Sequence, residues 1–147
     1  MSTDAVSPTR ERRAELLAAT PAEALVALAE RCLADGADPV LIAAPEVGMV
    51  MLTVREPVAR ERFHLGEVLV TRAEVELDGA RGWAMRTGDD RLATLAAAVL
   101  DAEVEARRPH AGAVLELCAR TERTEADAGA AEWAELGPTA VAFEELD

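Results

Sequence analysis

The sequence predicts an α+β fold: an N-terminal helical hairpin, a small antiparallel sheet of three to four strands, and two C-terminal helices. Three observations carry this expectation. Apolar residues recur at helical spacing up to Gly36 and again from Leu92 onward, but with a period of two between Val40 and Thr87. Asp78-Gly79 is a two-residue hairpin signal joining two of the period-two runs, which makes that pair antiparallel. Helical and extended segments are segregated along the chain, and no internal repeat or low-complexity linker marks a second domain, so one domain over residues 1–147 is expected.

Taken in order, Ser7-Pro8 offers an N-cap and first-turn pair for a short helix carrying Ala14, Leu16 and Leu17 on its apolar side. Thr20-Pro21 repeats that signal with Glu23 in capping-box position. A second helix follows through Leu25, Leu28, Ala29 and Leu33, closed by Gly36. Pro45, Gly48 and Pro57 bound two short strands at about Val40–Ala43 and Met49–Arg55. Glu67–Leu77 is the clearest strand, with Leu69, Thr71, Ala73, Val75 and Leu77 expected on the core face. The returning strand Arg81–Thr87 puts Trp83 and Met85 on one face. In a chain with two Trp, two Phe and no Tyr, these bulky side chains are expected in the core. Asp89 can cap a helix whose stripe is Leu92, Leu95, Ala96, Val99 and Leu100 and which stops before Pro109. A last helix spans Ala111–Leu136 with Gly129 as a weak point, ended by Gly137-Pro138. Val141–Leu146 forms an apolar-acidic end, and residues 139–147 read as a tail, mobile or docked on a partner.

At 147 residues, half of them apolar, the chain can bury roughly 70% of its unfolded surface in one core. A net charge of −13 excludes a free-standing nucleic-acid binder, which needs a basic surface to displace counterions. The charge is unevenly spread. Residues 55–91 hold seven arginines against eight acids, whereas residues 122–147 hold eight acids against Arg123 alone, a solvated face or a partner-facing tail. No run approaches the roughly 20 apolar residues a membrane helix needs, and no secretory leader is evident, so a cytoplasmic location is expected. Cys32 and Cys118 stand alone in helical apolar patterns and read as buried, reduced thiols.

The residue pattern supplies no self-contained catalytic site, cofactor motif or metal-ligand spacing. His64 and His110 are the only histidines, and neither has a His or Cys at ligand spacing; His64 is read as a polar structural or interface residue. Gly79-Ala80-Arg81-Gly82 lacks the Gly-Lys-Ser/Thr ending of a phosphate loop and sits between strands, so it is a hairpin. Arg72 shares a strand face with Val68 and Val70, a mixture of arginine and apolar side chains common in protein interfaces. Three roles stay open for Arg72: a partner contact, an internal ion pair with Glu74 as expected partner, and a contact to a substrate phosphate. Arg62, His64, Glu67, Thr71 and Arg72 cluster on or beside the central strand. They are the candidate interface or site-supporting positions; none is assigned a catalytic role.

An ordered series of elements runs from Arg62, Phe63 and Leu65-Gly66-Glu67 through Val70-Thr71-Arg72 to Gly82, Gly88-Asp89 and Ala98–Ala102. Weaker echoes lie at Thr20-Pro21-Ala22-Glu23 and Val141-Ala142-Phe143. The series resembles the PhnG family over most of the chain. The resemblance implies a required, non-catalytic subunit of the carbon–phosphorus lyase core complex, working with PhnI-like, PhnH-like and PhnJ-like subunits. It implies ATP and a phosphonate as substrates of the complex, with the phosphonate replacing adenine at ribose C1′ on the I subunit and later cleavage on the iron–sulfur J subunit. No cofactor is implied for this chain, which agrees with the absence of cysteine clusters and nucleotide motifs.

A different class of function is also open: a stand-alone small-molecule-binding or chaperone-like module on the same fold. That module would be a well-behaved monomer or homodimer, whereas a subunit would expose apolar patches of at least several hundred Å². A self-sufficient transferase is disfavoured, because a triphosphate product would demand concentrated positive charge that this acidic chain lacks.

Overall fold

The computed structural model describes residues 7–137. Its elements run α1 (Arg10–Ala19), α2 (Ala22–Leu33), β1 (Val40–Arg55), β2 (Arg62–Leu77), β3 (Ala80–Thr87), α3 (Arg91–Glu105) and α4 (Ala111–Leu136). The three strands form one antiparallel sheet in the order β1-β2-β3, and the four described helices bear out the α+β expectation. The expected end segment from Val141 to Leu146 lies outside the described residues.

Local chemistry sets the helix boundaries, at some positions differently from the sequence expectation. The α1 cap is Thr9, whose hydroxyl accepts the Arg12 N–H at 3.2 Å, two residues beyond Ser7. Thr20 does not cap α2. Its hydroxyl bonds back to the Leu16 carbonyl at 2.7 Å and meets the Thr121 hydroxyl at 2.8 Å, which ties the end of α1 to α4. Pro21 then occupies the N-cap of α2, where its missing N–H is no loss. For α3 the cap is Asp90, one residue after the expected Asp89, accepting from Ala93 N–H at 2.9 Å.

The two short strands expected before Pro57 are one 16-residue strand, β1. Pro45 and Gly48 read as breakers, yet register shifts between Leu41 and Ala43 and between Ala43 and Glu46 absorb Pro45 without ending the strand. As an edge strand, β1 tolerates a residue without a donor at such a bulge. β2 likewise starts at Arg62 instead of Glu67, so its outer half pairs with Met49–Arg55 to make a two-stranded arm. Asp78 (φ 49°) and Gly79 (φ 80°) form the expected tight hairpin, with both central residues left-handed.

Helix packing is confined to one face of the sheet. Ala73, Val75 and Leu77 of β2 and their cross-strand partners Ala84, Gly82 and Ala80 lie towards α3. Trp83 and Met85 therefore point the other way, and Trp83 is 38% exposed; neither belongs to the core the sequence suggested. The physical reason is Gly82. A Cβ there would lie 2.0 Å from the Ala98 carbonyl oxygen and 2.4 Å from Ala102 N, so the backbones of α3 and β3 are in direct apposition. Only small residues fit on that face, and the aromatic ring is displaced to the opposite one. Leu69 and Leu92, also expected to be buried, are 42% and 62% exposed because Leu69 lies on the arm and Leu92 in the first turn of α3. Further along, α3 is buried on nearly every side, including the polar Thr94, Asp101 and Glu103, with Leu16, Leu17, Leu25, Val75, Leu77 and Val114 around it in the core.

Candidate functional site

Two regions project from this packed body. The arm carries Met49, Val50, Met51 and Leu52 on β1 and Phe63, Leu65 and Leu69 on β2, all exposed. Seven strand residues beyond Gly48 give it a reach of about 23 Å. The second projection is α4 beyond Thr121, its last buried residue. Glu122 to Leu136 are all exposed, a length of about 22 Å, and Trp133 is 76% exposed.

The outer face of the sheet lies beside the base of the arm. Cross-strand partners share a face, so the register places Val50 with Val68, Glu46 with Arg72 and Met85, and Glu74 with Trp83. The result is a surface of Trp, Met, Val and Arg, the composition enriched in protein interfaces. Sequence reading found Arg72, Val68 and Val70 on this face but missed Trp83 and Met85. The signal for them was the Ala and Gly alternating with them in β3.

The five candidate positions all fall on β2, and the structure distributes them instead of gathering them into one pocket. Arg72 is half-exposed on the outer face, 3.8 Å from Glu46; Glu74, its expected partner, instead meets Arg81 at 3.4 Å. Thr71 is buried on the helix face, where its hydroxyl donates to the Gly88 carbonyl at 2.8 Å and latches the end of β3. Arg62, His64 and Glu67 lie on the exposed arm. His64 Nδ1 is 3.2 Å from the Thr53 hydroxyl across the strand pair, and Arg62 sits directly opposite Arg55, a like-charge pairing that disfavours close approach.

A groove of about 330 Å³ opens between α2, α3 and the start of β1. Val26, Leu33, Leu41, Leu92 and Leu95 line it, and Glu30 is the one charged residue in its walls.

The polar chemistry that organises these surfaces is buried and was not legible as a motif. Asp101 of α3 takes Arg13 at 2.6 and 2.8 Å, Arg10 at 3.0 Å and the Trp83 N–H at 3.0 Å, while Arg13 also pairs with Glu105. Burial lowers the Arg13 pKa, but hydrogen bonds to Glu105 and Asp101 more than offset it, so the guanidinium stays charged. Arg86 donates to the carbonyls of Leu17, Ala18 and Thr20 at 2.7–2.9 Å, closing the C-terminal end of α1 with a positive charge. Its pKa is lowered, by burial first, with Asp90 partly opposing. Arg108 joins Glu103, Asp35 and Asp78, which fixes the ends of α2 and α3 to the β2–β3 turn. Cys32 and Cys118 are free and buried, and burial pushes both thiols up to about 11.

None of the described helices is long and apolar enough to cross a membrane. No curated protein matches this sequence closely enough to count as a relative. A family model described as "Phosphonate metabolism protein PhnG" matches residues 8–146, and on that match across nearly the whole chain the protein belongs to the PhnG family, with a role in phosphonate metabolism.

Proposed function

We propose that this chain is a required, non-catalytic subunit of the carbon–phosphorus lyase core complex. In this reading it supports transfer of a phosphonate to ribose C1′ of ATP, with release of adenine, on a PhnI-like subunit, and it assembles with PhnH-like and PhnJ-like subunits. Family membership supplies the pathway. The observation carrying the subunit role is the exposed apolar arm. Met49, Met51, Leu52, Phe63, Leu65 and Leu69 are each more than 40% exposed, and they lie on two paired strands instead of being scattered over the surface. Met49, Met51 and Leu69 share one face of this ribbon and Val50 and Leu52 the other, so apolar side chains are exposed on both sides of it, which marks a projection meant to be covered. The Trp83–Met85–Arg72 face continues the Val50 side at the base, so Arg62, His64, Glu67 and Arg72 are assigned to contacts or their support, and Thr71 to holding the strand that presents them.

The stand-alone binding module has one feature in its favour, the apolar groove beside α3. Its walls offer few polar groups to orient a small ligand, whereas ligand sites usually combine an apolar lining with several placed donors or acceptors. Co-expression with the PhnI-like subunit, followed by co-purification and an assay of phosphonate-dependent adenine release from ATP, separates the readings. The subunit reading expects a stable complex whose activity disappears when this chain is omitted, and whose assembly is weakened by replacing Met51 and Phe63 with serine. Full activity without this chain, or assembly indifferent to the arm, refutes it.

A further inference from the structure

Three chemically reactive side chains far apart in sequence meet below the end of α2. Cys32 comes from the last turn of α2, Glu103 from the last turn of α3, and His110 from the turn that opens α4. Their ligand atoms all lie within 4.8 Å of one another, and His110 Nδ1 is 3.8 Å from Glu103 Oε1. Cys32 and Glu103 are fully buried. His110 Nδ1 is buried too and has no hydrogen-bond partner among the described residues. A buried ring nitrogen left without a partner is costly and rare, and this one faces a carboxylate and a thiol.

We propose that Cys32 Sγ, Glu103 Oε1 and His110 Nδ1 form a binding site for a thiophilic divalent cation, zinc foremost. A thiolate, an imidazole and a carboxylate are the ligand types of tetrahedral zinc, and metal–ligand bonds of about 2.0–2.3 Å place ligand atoms roughly 3.3–3.8 Å apart. From separations of at most 4.8 Å, the three atoms therefore need to close by no more than about 1–1.5 Å. Glu103 remains available although its Oε2 takes Arg108 Nε at 2.8 Å and its Oε1 takes the His110 backbone N–H at 3.0 Å, since a carboxylate oxygen accepts at more than one position. These bonds also orient the carboxylate, as partners behind a metal ligand do. The surrounding charge suits a cation: Glu103, Asp35 and Asp78 outnumber Arg108 and Arg31. The His110 side chain is 28% exposed, which leaves an approach for the ion and a water as fourth ligand. Binding displaces the Cys32 thiol proton to solvent, and the ion links the ends of α2 and α3 to the start of α4.

Cobalt(II) titration of the purified, metal-stripped full chain tests this directly. The expected result is one equivalent bound, with a thiolate-to-cobalt charge-transfer band and the visible bands of a tetrahedral ion, displaced by zinc. Cys32→Ser and His110→Ala should each remove the charge-transfer band or weaken binding by at least about tenfold. His64→Ala and Cys118→Ser should leave both unchanged. Where a variant fails to fold by circular dichroism, imidazole NMR of the wild-type chain replaces it: zinc should shift the His110 ring signals and not those of His64. No thiolate band, binding that survives His110→Ala, binding lost in His64→Ala, or His110 signals unmoved by zinc would overturn the proposal and leave the cluster a purely structural polar network.

Discussion

Gly82→Ala is the sharpest test of how the sheet and helices fit together. The added methyl would lie 2.0 Å from the Ala98 carbonyl oxygen, 2.4 Å from Ala102 N and 2.7 Å from Ala102 Cβ, whereas ordinary contact begins near 3.4 Å. The shortfall against the carbonyl oxygen is about 1.4 Å, and the two nearest atoms are backbone, so no rotamer change relieves the clash. α3 must retreat as a body, and it is enclosed by the sheet on one side and by α2 and α4 on others. Overpacking at a rigid site costs about 1–3 kcal/mol, and the retreat also stretches the 3.0 Å bond from Trp83 N–H to Asp101, adding about 1 kcal/mol. A total of about 2–4 kcal/mol lowers Tm by roughly 5–15 °C for a domain of this size. Thermal unfolding followed by circular dichroism measures it. Gly129→Ala is the matched control: a Cβ there meets nothing within 4 Å, and alanine should stabilise the exposed helix by up to about 1 kcal/mol. A Gly82→Ala protein melting within about 2 °C of wild type would refute the direct apposition of α3 and β3.

Other expectations follow from the buried polar groups and the exposed surfaces. Arg86→Met keeps the length of the side chain but leaves three carbonyls at the end of α1 without their donor, which should destabilise the fold by about 2–4 kcal/mol in urea unfolding. Both thiols titrate higher in the fold than their ordinary 9.0, so their contribution is fully present below about pH 9 and declines as pH rises towards about 11. Urea midpoints at pH 8 and pH 10 should show that fall, and Cys32→Ser/Cys118→Ser should flatten it. Thr20→Val removes the hydroxyl that bonds the Leu16 carbonyl and ties α1 to Thr121, leaving Thr121 only the Leu117 carbonyl, and should cost about 1–2 kcal/mol by the same measurement. Trp83→Ala should cost about 1–3 kcal/mol, since more than half of the residue is covered, and weaken capture of the PhnI-like partner while the chain remains folded.

What could be read in the sequence is what local chemistry decides. The bounds of α4 match Ala111–Leu136 because Pro109 and Gly137-Pro138 punctuate it, and the β2–β3 turn was visible because few pairs besides Asp-Gly accept two left-handed residues in succession. β1 was split because proline is a local breaker, whereas a bulge on an edge strand is a property of the sheet. Trp83 was assigned to the wrong face for a related reason. Aromatic bulk suggests a core, but the choice of face depends on which side α3 occupies, and that is fixed by Gly82. Of the candidate positions, Arg72 and its apolar neighbours on β2 were legible from alternation alone. Asp101, Glu103 and the Cys32–Glu103–His110 cluster were not, since nothing in an alanine-rich helix announces that its acids are turned inward to partners on other elements.

The sheet ends at three strands although an antiparallel edge ordinarily invites another. At the free edge of β3 the vacant places are filled by side chains: Asp101 receives the Trp83 N–H, and Arg10 donates to the Arg81 carbonyl at 2.7 Å. A carboxylate and a guanidinium there imitate the hydrogen-bonding rhythm of an absent neighbour. They cap that edge at Arg81 and Trp83 and so hinder a second molecule from extending the sheet there. At the opposite edge, Pro45 and its bulges interrupt the base of β1 and a further register shift between Leu52 and Thr53 interrupts the arm, so the regular run of that edge is Glu46 to Leu52. Strand-to-strand recruitment, whether wanted or pathological, finds its longest regular template in that short run.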